Sequence, residues 1–239
     1  MHEGYAPLVA VVEEAKQRRL VPSSTVVRPK KDIWYHAVIN WLLNIFYPRH
    51  MKNAYRDRYW TTIGYTIAPT TKVSADATDT TVHELFHVRD AWHKTRVVFA
   101  FLYLWPISQG VLLLFTCWLP LLWTSGWVFW LWFGVWLMVA GLHFIPVLPD
   151  PWRKRYELTA YTASMCLYYK RHGNLPDVYI EHITKQFTSM AYYVIEPNGK
   201  AMLKLIQREA AHIRAYNHPT LYDPLVMLGI KHQDGTHTR

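Results

Sequence analysis

A stretch of 53 consecutive residues, 97–149, contains no Asp, Glu, Lys or Arg, and it constrains the fold of this 239-residue chain more than any other feature. A helix crosses the hydrocarbon core of a membrane in about 20 residues, so the stretch is too long for one crossing and suits two. A short polar turn at Thr124, Ser125 and Gly126 divides it, which predicts a transmembrane helical hairpin. The alternative is a hairpin buried inside a large soluble protein.

The rest of the chain has the charge density of an ordinary water-soluble domain, because all 43 charged residues fall in the other 186 positions. Basic residues flank the uncharged stretch on both sides: Arg89, Lys94 and Arg96 before it, and Arg153, Lys154 and Arg155 after it. The positive-inside rule places both flanks in the cytoplasm. We therefore expect an integral protein of the cytoplasmic (inner) membrane, in contact with the lipid bilayer and with both termini facing the cytoplasm.

The net charge of +9 is spread along the chain. Its basic residues are not interleaved with aromatic ones on a strand pattern, and no run reaches the density of a nucleic-acid-binding arm. A basic surface next to anionic lipid is the simpler account of this charge. The composition therefore predicts no nucleic-acid partner.

The hairpin is expected to interrupt one soluble catalytic domain. The predicted organisation is an N-terminal half (1–96), the hairpin (97–149), a C-terminal helical half (150–230) and a flexible tail (231–239). Both halves should share the cytoplasm, because a two-span hairpin returns the chain to the side that it left.

Local patterns predict the elements of the two halves. In the first half, partial alternation of Tyr, Thr and Ile indicates a strand at about 58–67, and a helix is expected at about 80–95. In the second half, helices are expected at about 151–170, 177–191 and 199–215, with Gly173 as the stop of the first.

The segment 32–47 is apolar but too short to span a bilayer. His36, Asn40 and Asn44 interrupt it. It is expected either to lie in the membrane interface with Trp34 and Trp41 as anchors, or to pack in the soluble core.

A histidine pair with the spacing of metal ligands lies in the helix expected at 80–95. The sequence His83-Glu84-Leu85-Phe86-His87 places two imidazoles one turn apart on one helical face, so both can reach one Zn²⁺ at about 2.0–2.1 Å. Glu84 lies about 100° around the helix from His83 and is placed to act as a general base. Histidines that serve only packing or the surface are the alternative.

A catalytic zinc needs a third protein ligand and one open position. The first polar helix after the hairpin offers Glu157 in its second turn, on the same side of the membrane as the histidines. A helix-surface carboxylate that balances Arg153 and Arg155 is the competing interpretation of Glu157. The strand at about 58–67 could bind an extended peptide by adding it to the sheet.

The order of these motifs resembles the membrane-embedded zinc metalloproteases of the HtpX and CAAX-prenyl-protease type, which are gluzincins with HExxH and a downstream Glu. The resemblance covers roughly residues 59–165 and rests on HELFHVRD, a hydrophobic hairpin and RYELTAY. It implies a zincin-like gluzincin core, His83, His87 and Glu157 as ligands of one Zn²⁺ per chain, Glu84 as catalytic base, and a site facing the cytosol.

The chain departs from that family in two places. Tyr161 stands where the family has the Asp of its ExxAD motif, and the N-terminal pair of membrane spans is absent. Asp90 or a backbone carbonyl would have to orient a ligating histidine instead. The candidates for an oxyanion donor or other supporting role are Tyr161, Tyr192, Tyr193 and His212.

These features predict a mostly α protein with a small β-sheet, a gluzincin core and an inserted transmembrane hairpin. The expected function is that of a membrane-anchored zinc metalloendopeptidase acting on a peptide or protein substrate. One alternative is a non-catalytic membrane protein with a structural metal or none. Another is a membrane di-iron oxygenase resembling the desaturases, although that class uses more histidine boxes and adjacent His-His pairs, which this chain lacks.

Overall fold

The structure is a computed structural model that describes residues 6–46, 52–70, 78–116, 119, 126–143, 149–189 and 194–215. Within these ranges the helices are α1 (Ala6–Gln17), α2 (Trp34–Phe46), α3 (Ala54–Arg58), α4 (Thr78–Lys94), α5 (Arg96–Tyr103), α6 (Ile107–Thr116), α7 (Trp127–Leu142), α8 (Pro151–His172), α9 (Asp177–Thr188) and α10 (Gly199–Arg214). The strands are β1 (Val26–Val27), β2 (Thr61–Ile63) and β3 (Thr66–Ala68). The expectation of a mostly α protein with a small sheet is confirmed.

The chain groups into two compact units. The first consists of Met1–Arg96, Thr159–Asn174 and His212–Arg239, and the second of Val97–Leu158 and Leu175–Ala211. The division falls inside α8, a continuous helix whose first turns belong to the second unit and whose remainder belongs to the first.

Helix α4 is the centre of the first unit. Residues 81–88 are all buried, so this helix is surrounded by protein through two full turns instead of lying on the surface. Its apolar side chains pack with α1, the sheet and the later part of α8 in one core, whose buried members are Val12, Ala15, Val21, Ile67, Val82, Leu85, Phe86, Val88, Ala160, Ala163 and Leu167. The core therefore holds α4 and α8 together in this unit.

The three strands form one small sheet in the order β1-β3-β2. Strand β1 pairs with β3 in parallel, and β2 pairs with β3 antiparallel with Thr62 opposite Ile67. The single strand expected at about 58–67 is therefore wrong in detail, because Gly64 turns the chain between two short strands. Gly64 has a φ of 60°, a left-handed conformation that favours glycine.

In the second unit, the first helix of the uncharged stretch is broken. Helices α5 and α6 meet at Pro106 with a bend of 100°, and α6 lies beside α7, where Trp136 Nε1 donates a hydrogen bond of 2.8 Å to the carbonyl of Leu113. Among the described residues, no one helix has the length and apolar character needed to cross a bilayer. The bent pair α5 and α6 reaches that threshold only when its two parts are taken together.

The helices of the second half of the chain agree closely with expectation. Gly173, with a φ of 67°, follows the end of α8. The carboxylate of Asp150 accepts a hydrogen bond of 2.8 Å from the backbone N–H of Arg153 at the start of α8. Lys154 and Glu196 form a salt bridge of 2.6 Å in the second unit. The tail predicted at 231–239 lies outside the described residues.

A buried lysine, Lys30, makes several polar contacts within the first unit. Lys30 Nζ donates to the carbonyls of Tyr55 (2.7 Å) and Tyr59 (2.5 Å) and lies 3.9 Å from the centre of the Tyr55 ring. Burial lowers the pKa of Lys30 to about 7, although Glu84 and Asp57 act in the opposite direction. A neutral amine still has two N–H bonds, which suffice for both carbonyls.

Lys30 is expected to make the stability of the protein rise with pH above neutrality. Its pKa is about 7 when folded and 10.5 when free, so between these values the unfolded chain binds the extra proton. The free energy of unfolding should increase by up to about 1.4 kcal/mol per pH unit in that window. Urea unfolding of wild type and Lys30→Met at several pH values above 7 measures this contribution.

The variant Lys30→Met should lose this dependence and be less stable, because the carbonyls of Tyr55 and Tyr59, one buried and one partly buried, lose their donor. The exposed Lys204→Met on α10 is the control and should keep the wild-type slope. Equal slopes in wild type and Lys30→Met would show that Lys30 does not titrate in this range.

Candidate metal centre

Helix α4 brings His83 and His87 together inside the first unit. Both side chains are buried, and their Nε2 atoms are 3.1 Å apart. Two nitrogen ligands of a tetrahedral zinc at ordinary bond lengths are separated by about 3.3 Å. The two imidazoles therefore already have nearly the separation that one metal ion requires.

Glu157 joins the histidines from α8. One ligand atom from each of His83, His87 and Glu157 lies within 4.8 Å of the other two, and all three side chains are buried. The group could hold a metal ion. The same side chains take part in salt bridges, so a metal would replace protons as the positive partner of the carboxylate.

The chemistry of the donor set fits zinc. Two neutral imidazoles and one carboxylate form one of the ligand sets of catalytic zinc sites, which keep a fourth position for water or substrate. The arrangement brings together Glu157 and a histidine pair 70 residues earlier in the chain. The spacing within α4 predicts the pair, and the structure groups with it Glu157, the residue that the sequence predicts as third ligand.

Glu84 lies beside this group but is not a member of it. Its carboxylate is buried and accepts a hydrogen bond of 2.5 Å from the hydroxyl of Thr62 on β2. Burial lowers the pKa of Lys30, and the charge of Glu84 partly opposes that lowering. Glu84 is thus held by the sheet, while the histidines beside it in sequence form the ligand pair.

The carboxylate of Glu157 has its own supporting partners. The Tyr103 hydroxyl of α5 donates a hydrogen bond to Glu157 Oε1. The guanidinium of Arg153 lies 5.2 Å from the centre of the Tyr103 ring, and Arg153 also interacts electrostatically with Glu157. A hydrogen bond of this kind fixes which carboxylate oxygen remains available to a metal.

Tyr161 occupies the position at which the chain departs from the gluzincin pattern. It lies one turn after Glu157 on α8, and its ring is 4.5 Å from the His83 ring between centres, at an interplanar angle of 63°. This is an edge-to-face contact, which restrains the orientation of the imidazole by packing. Where the family has an acidic residue, this chain therefore places an aromatic ring against a ligand.

The other predicted site residues are not members of the group formed by His83, His87 and Glu157. Asp90 lies partly buried on α4, and its role in orienting a ligating histidine stays a prediction. His212 is exposed in the last turn of α10 and is not in the ligand group. Tyr192 and Tyr193 lie outside the described residues.

Three residues of the site are missing from the sequence prediction: Thr62, Tyr103 and Lys30. Tyr103 carries a hydroxyl within the uncharged stretch, and this polar atom in apolar surroundings is a signal that sequence reasoning can use. Thr62 and Lys30 carry no such signal, because threonine is common in strands and lysine on surfaces. Their roles depend on tertiary contacts alone.

Zinc affinity should depend on the ligands strongly and on Tyr103 to a lesser degree. We expect His83→Ala and His87→Ala to lose the metal, and Tyr103→Phe to bind Zn²⁺ about 10- to 100-fold more weakly, because Glu157 loses its orienting hydrogen bond. Competition with a chromophoric chelator measures the affinity of each purified variant.

His93→Ala is the matched control, since His93 lies on the same helix but is exposed. It should retain the affinity of wild type. A metal content in His83→Ala equal to that of wild type would contradict the assignment of the ligand group.

Comparisons with known proteins find no match: no family model, no curated protein and no solved structure is significantly similar to this chain. The similarity to the gluzincin proteases is carried by the motif residues of α4 and α8, and it stays a prediction.

Proposed function

We propose that the protein is a membrane-anchored, zinc-dependent metalloendopeptidase. The observation that carries this proposal is the buried group of His83, His87 and Glu157 with the carboxylate of Glu84 next to it in sequence and held by Thr62. Two imidazoles, one carboxylate ligand and a separate carboxylate base are the components that metal-assisted peptide hydrolysis uses.

Each residue has a distinct role in this proposal. His83, His87 and Glu157 hold one zinc ion, which when bound supplies Lewis-acid activation of water and of the scissile carbonyl. Glu84 accepts a proton from the attacking water and returns it to the leaving amine. Thr62 keeps the Glu84 carboxylate in place, and the Tyr161 ring keeps the His83 imidazole in place.

The position of strand β2 is an argument for a peptide substrate. It lies at one edge of the sheet order β1-β3-β2 and carries Thr62, whose side chain contacts Glu84. An extended peptide that adds to this edge would gain backbone hydrogen bonds and pass beside the catalytic base. Recognition through the backbone would accept many side chains, as expected of an enzyme that cleaves unfolded segments.

The exposed apolar side chains of the uncharged stretch are the argument for a membrane anchor. Large apolar side chains of α5, α6 and α7 are exposed, and the most exposed include Val97, Phe115, Trp127, Trp130, Leu131 and Met138. A helix with apolar side chains on all faces is stable when lipid or protein surrounds it. Lipid around these helices would cover their exposed apolar side chains.

A closed, structural metal site is the second candidate. The burial of all three ligands and of Glu84 favours it, because structural zinc sites are shielded and catalytic ones keep an open position. Metal binding alone does not separate the two functions, whereas the behaviour of Glu84 does. Two irons per chain would instead support the oxygenase, and no metal in any preparation would contradict both enzymes.

Glu84→Gln should keep its zinc and lose activity. The substitution preserves size and removes the group that accepts the proton, so the turnover of an unfolded protein substrate should fall by about 10²- to 10⁴-fold. Metal content and cleavage rate are measured on the same purified sample. Glu181→Gln, at an exposed position of α9, is the control and should behave as wild type.

Thr62 should act through Glu84. We expect Thr62→Val to lower kcat about 10-fold with little change in zinc content, because the carboxylate loses its hydrogen bond. Thr62→Ser retains the hydroxyl and should restore most of the rate. If valine and serine at this position give the same kcat, the hydrogen bond does not position the base.

A further inference from the structure

Among the side chains of helix α2 that the structure describes, at 34–41 and 44, the buried side is polar and the most exposed side is apolar, which is the reverse of the usual surface helix. His36 is buried, and Asn40 and Asn44 follow at intervals of one turn on the same face, partly buried. The opposite face is an exposed stripe with helical spacing that consists of Trp34, Ala37, Val38 and Trp41. We call these four residues the apolar stripe.

Hydrogen bonds fix this orientation of α2. His36 Nδ1 and the Tyr55 hydroxyl are 2.5 Å apart, and the side-chain amides of Asn40 and Asn44 each donate to Asn53 Oδ1 at 3.1 Å. The backbone N–H of Asn53 donates in turn to Asn44 Oδ1 at 2.8 Å. Rotating the helix to bury the apolar stripe would break all of these bonds.

The apolar stripe is strongly exposed at both of its ends. Trp34 is 78% exposed and Trp41 is 62% exposed, so neither indole packs in the core of the first unit. For these two side chains, the core-packing alternative is wrong. Indole rings favour the boundary between water and the acyl chains of a membrane, where the ring is shielded and the N–H stays hydrated.

The charged residues around α2 in the sequence are mostly basic. Residues 28–58 contain seven Lys or Arg and two Asp or Glu, a formal net charge of +5 that includes the buried Lys30, whereas residues 1–27 and 59–96 are each formally neutral. The whole excess of positive charge in residues 1–96 therefore lies next to the apolar stripe in the sequence. Arg28, Lys31 and Lys52 are exposed, and Lys30 is the buried member of the set.

We propose that α2 lies in the plane of an anionic lipid surface, with the apolar stripe among the headgroups and upper acyl chains. The exposed flanking basic residues, among them Arg28, Lys31 and Lys52, would contact lipid phosphates, and each would strengthen binding by a factor of roughly five. The helix is too short to span, which agrees with an in-plane position. This contact does not involve the ligands or Glu84, so it stands independently of the peptidase.

A second copy of the chain is a poorer occupant of the apolar stripe. A symmetric contact through α2 would bring two segments of net charge +5 together, and like charges across an interface oppose association. Anionic lipid supplies both an apolar layer and the opposite charge. An acidic protein partner would supply the charge, and the experiment below separates it from lipid.

The position of α2 can be measured with a fluorescent label and quenching lipids. The variant Ala37→Cys, in a background with Cys117→Ala and Cys166→Ala, is labelled with an environment-sensitive dye, which leaves both tryptophans of the apolar stripe in place. The full chain is reconstituted in phosphatidylcholine vesicles with or without one-third phosphatidylglycerol, and both carry a lipid with a nitroxide near its headgroup.

Val178→Cys is the matched control, because Val178 on α9 is 78% exposed, as Trp34 is, and has the acidic neighbours Asp177 and Glu181. We expect quenching at position 37 in the phosphatidylglycerol vesicles to be at least about threefold that at position 178. Adding Lys31→Glu and Lys52→Glu should reduce the quenching at 37 toward that in phosphatidylcholine alone.

Equal quenching at 37 and 178 would overturn the proposal, since purified lipid is then not the occupant and a protein partner takes its place. Energy transfer between labelled copies at 37, with no quenching by lipid, would overturn it in favour of self-association. Loss of zinc or of proteolysis in any of these variants has no bearing on the result, because the readout is the depth of the label.

Discussion

Burial of ionisable side chains along α4 is the constraint on which the rest of the structure depends. His83, Glu84, His87 and, from α8, Glu157 are all buried, and a buried charge is costly unless it is paired or bound to a metal. The structure meets this cost with specific partners: Thr62 for Glu84, Tyr103 for Glu157, and the two imidazoles for each other. Leucine or alanine at these positions would pack without the cost of burying charge. A chemical role therefore explains the buried His and Glu side chains better than a contribution to stability does.

The sequence predicts local features well because each depends on neighbouring residues. The i and i+4 spacing of His83 and His87 is a property of any α-helix, and the stop of α8 at Gly173 follows from backbone conformation. Glu157 is predicted less directly, through the need for a third ligand, and the structure does place its carboxylate within 4.8 Å of both histidines. The zinc ion, the peptidase activity and the membrane location stay predictions.

The features that the sequence does not reveal are those that arise from tertiary contacts or from a single backbone torsion. Gly64 divides one expected strand into β2 and β3, since one left-handed residue reverses the chain without altering the pattern of Tyr, Thr and Ile around it. In the uncharged stretch, Pro106 indicates that the helix is kinked, but not that the bend reaches 100°. The sequence offers Tyr161 as one of several supporting residues, but its ring contact with His83 is visible only in the structure.

The reversed polarity of α2 has a consequence for how this segment can change during evolution. Its inner face contributes hydrogen bonds to Tyr55 and Asn53, so mutations there are selected through folding. Its outer face is largely exposed, so we expect substitutions at Trp34 or Trp41 to change the stability of the folded state little. We therefore expect the two faces to tolerate substitution independently, so that the outer surface can change what it contacts while the hydrogen bonds beneath it are kept.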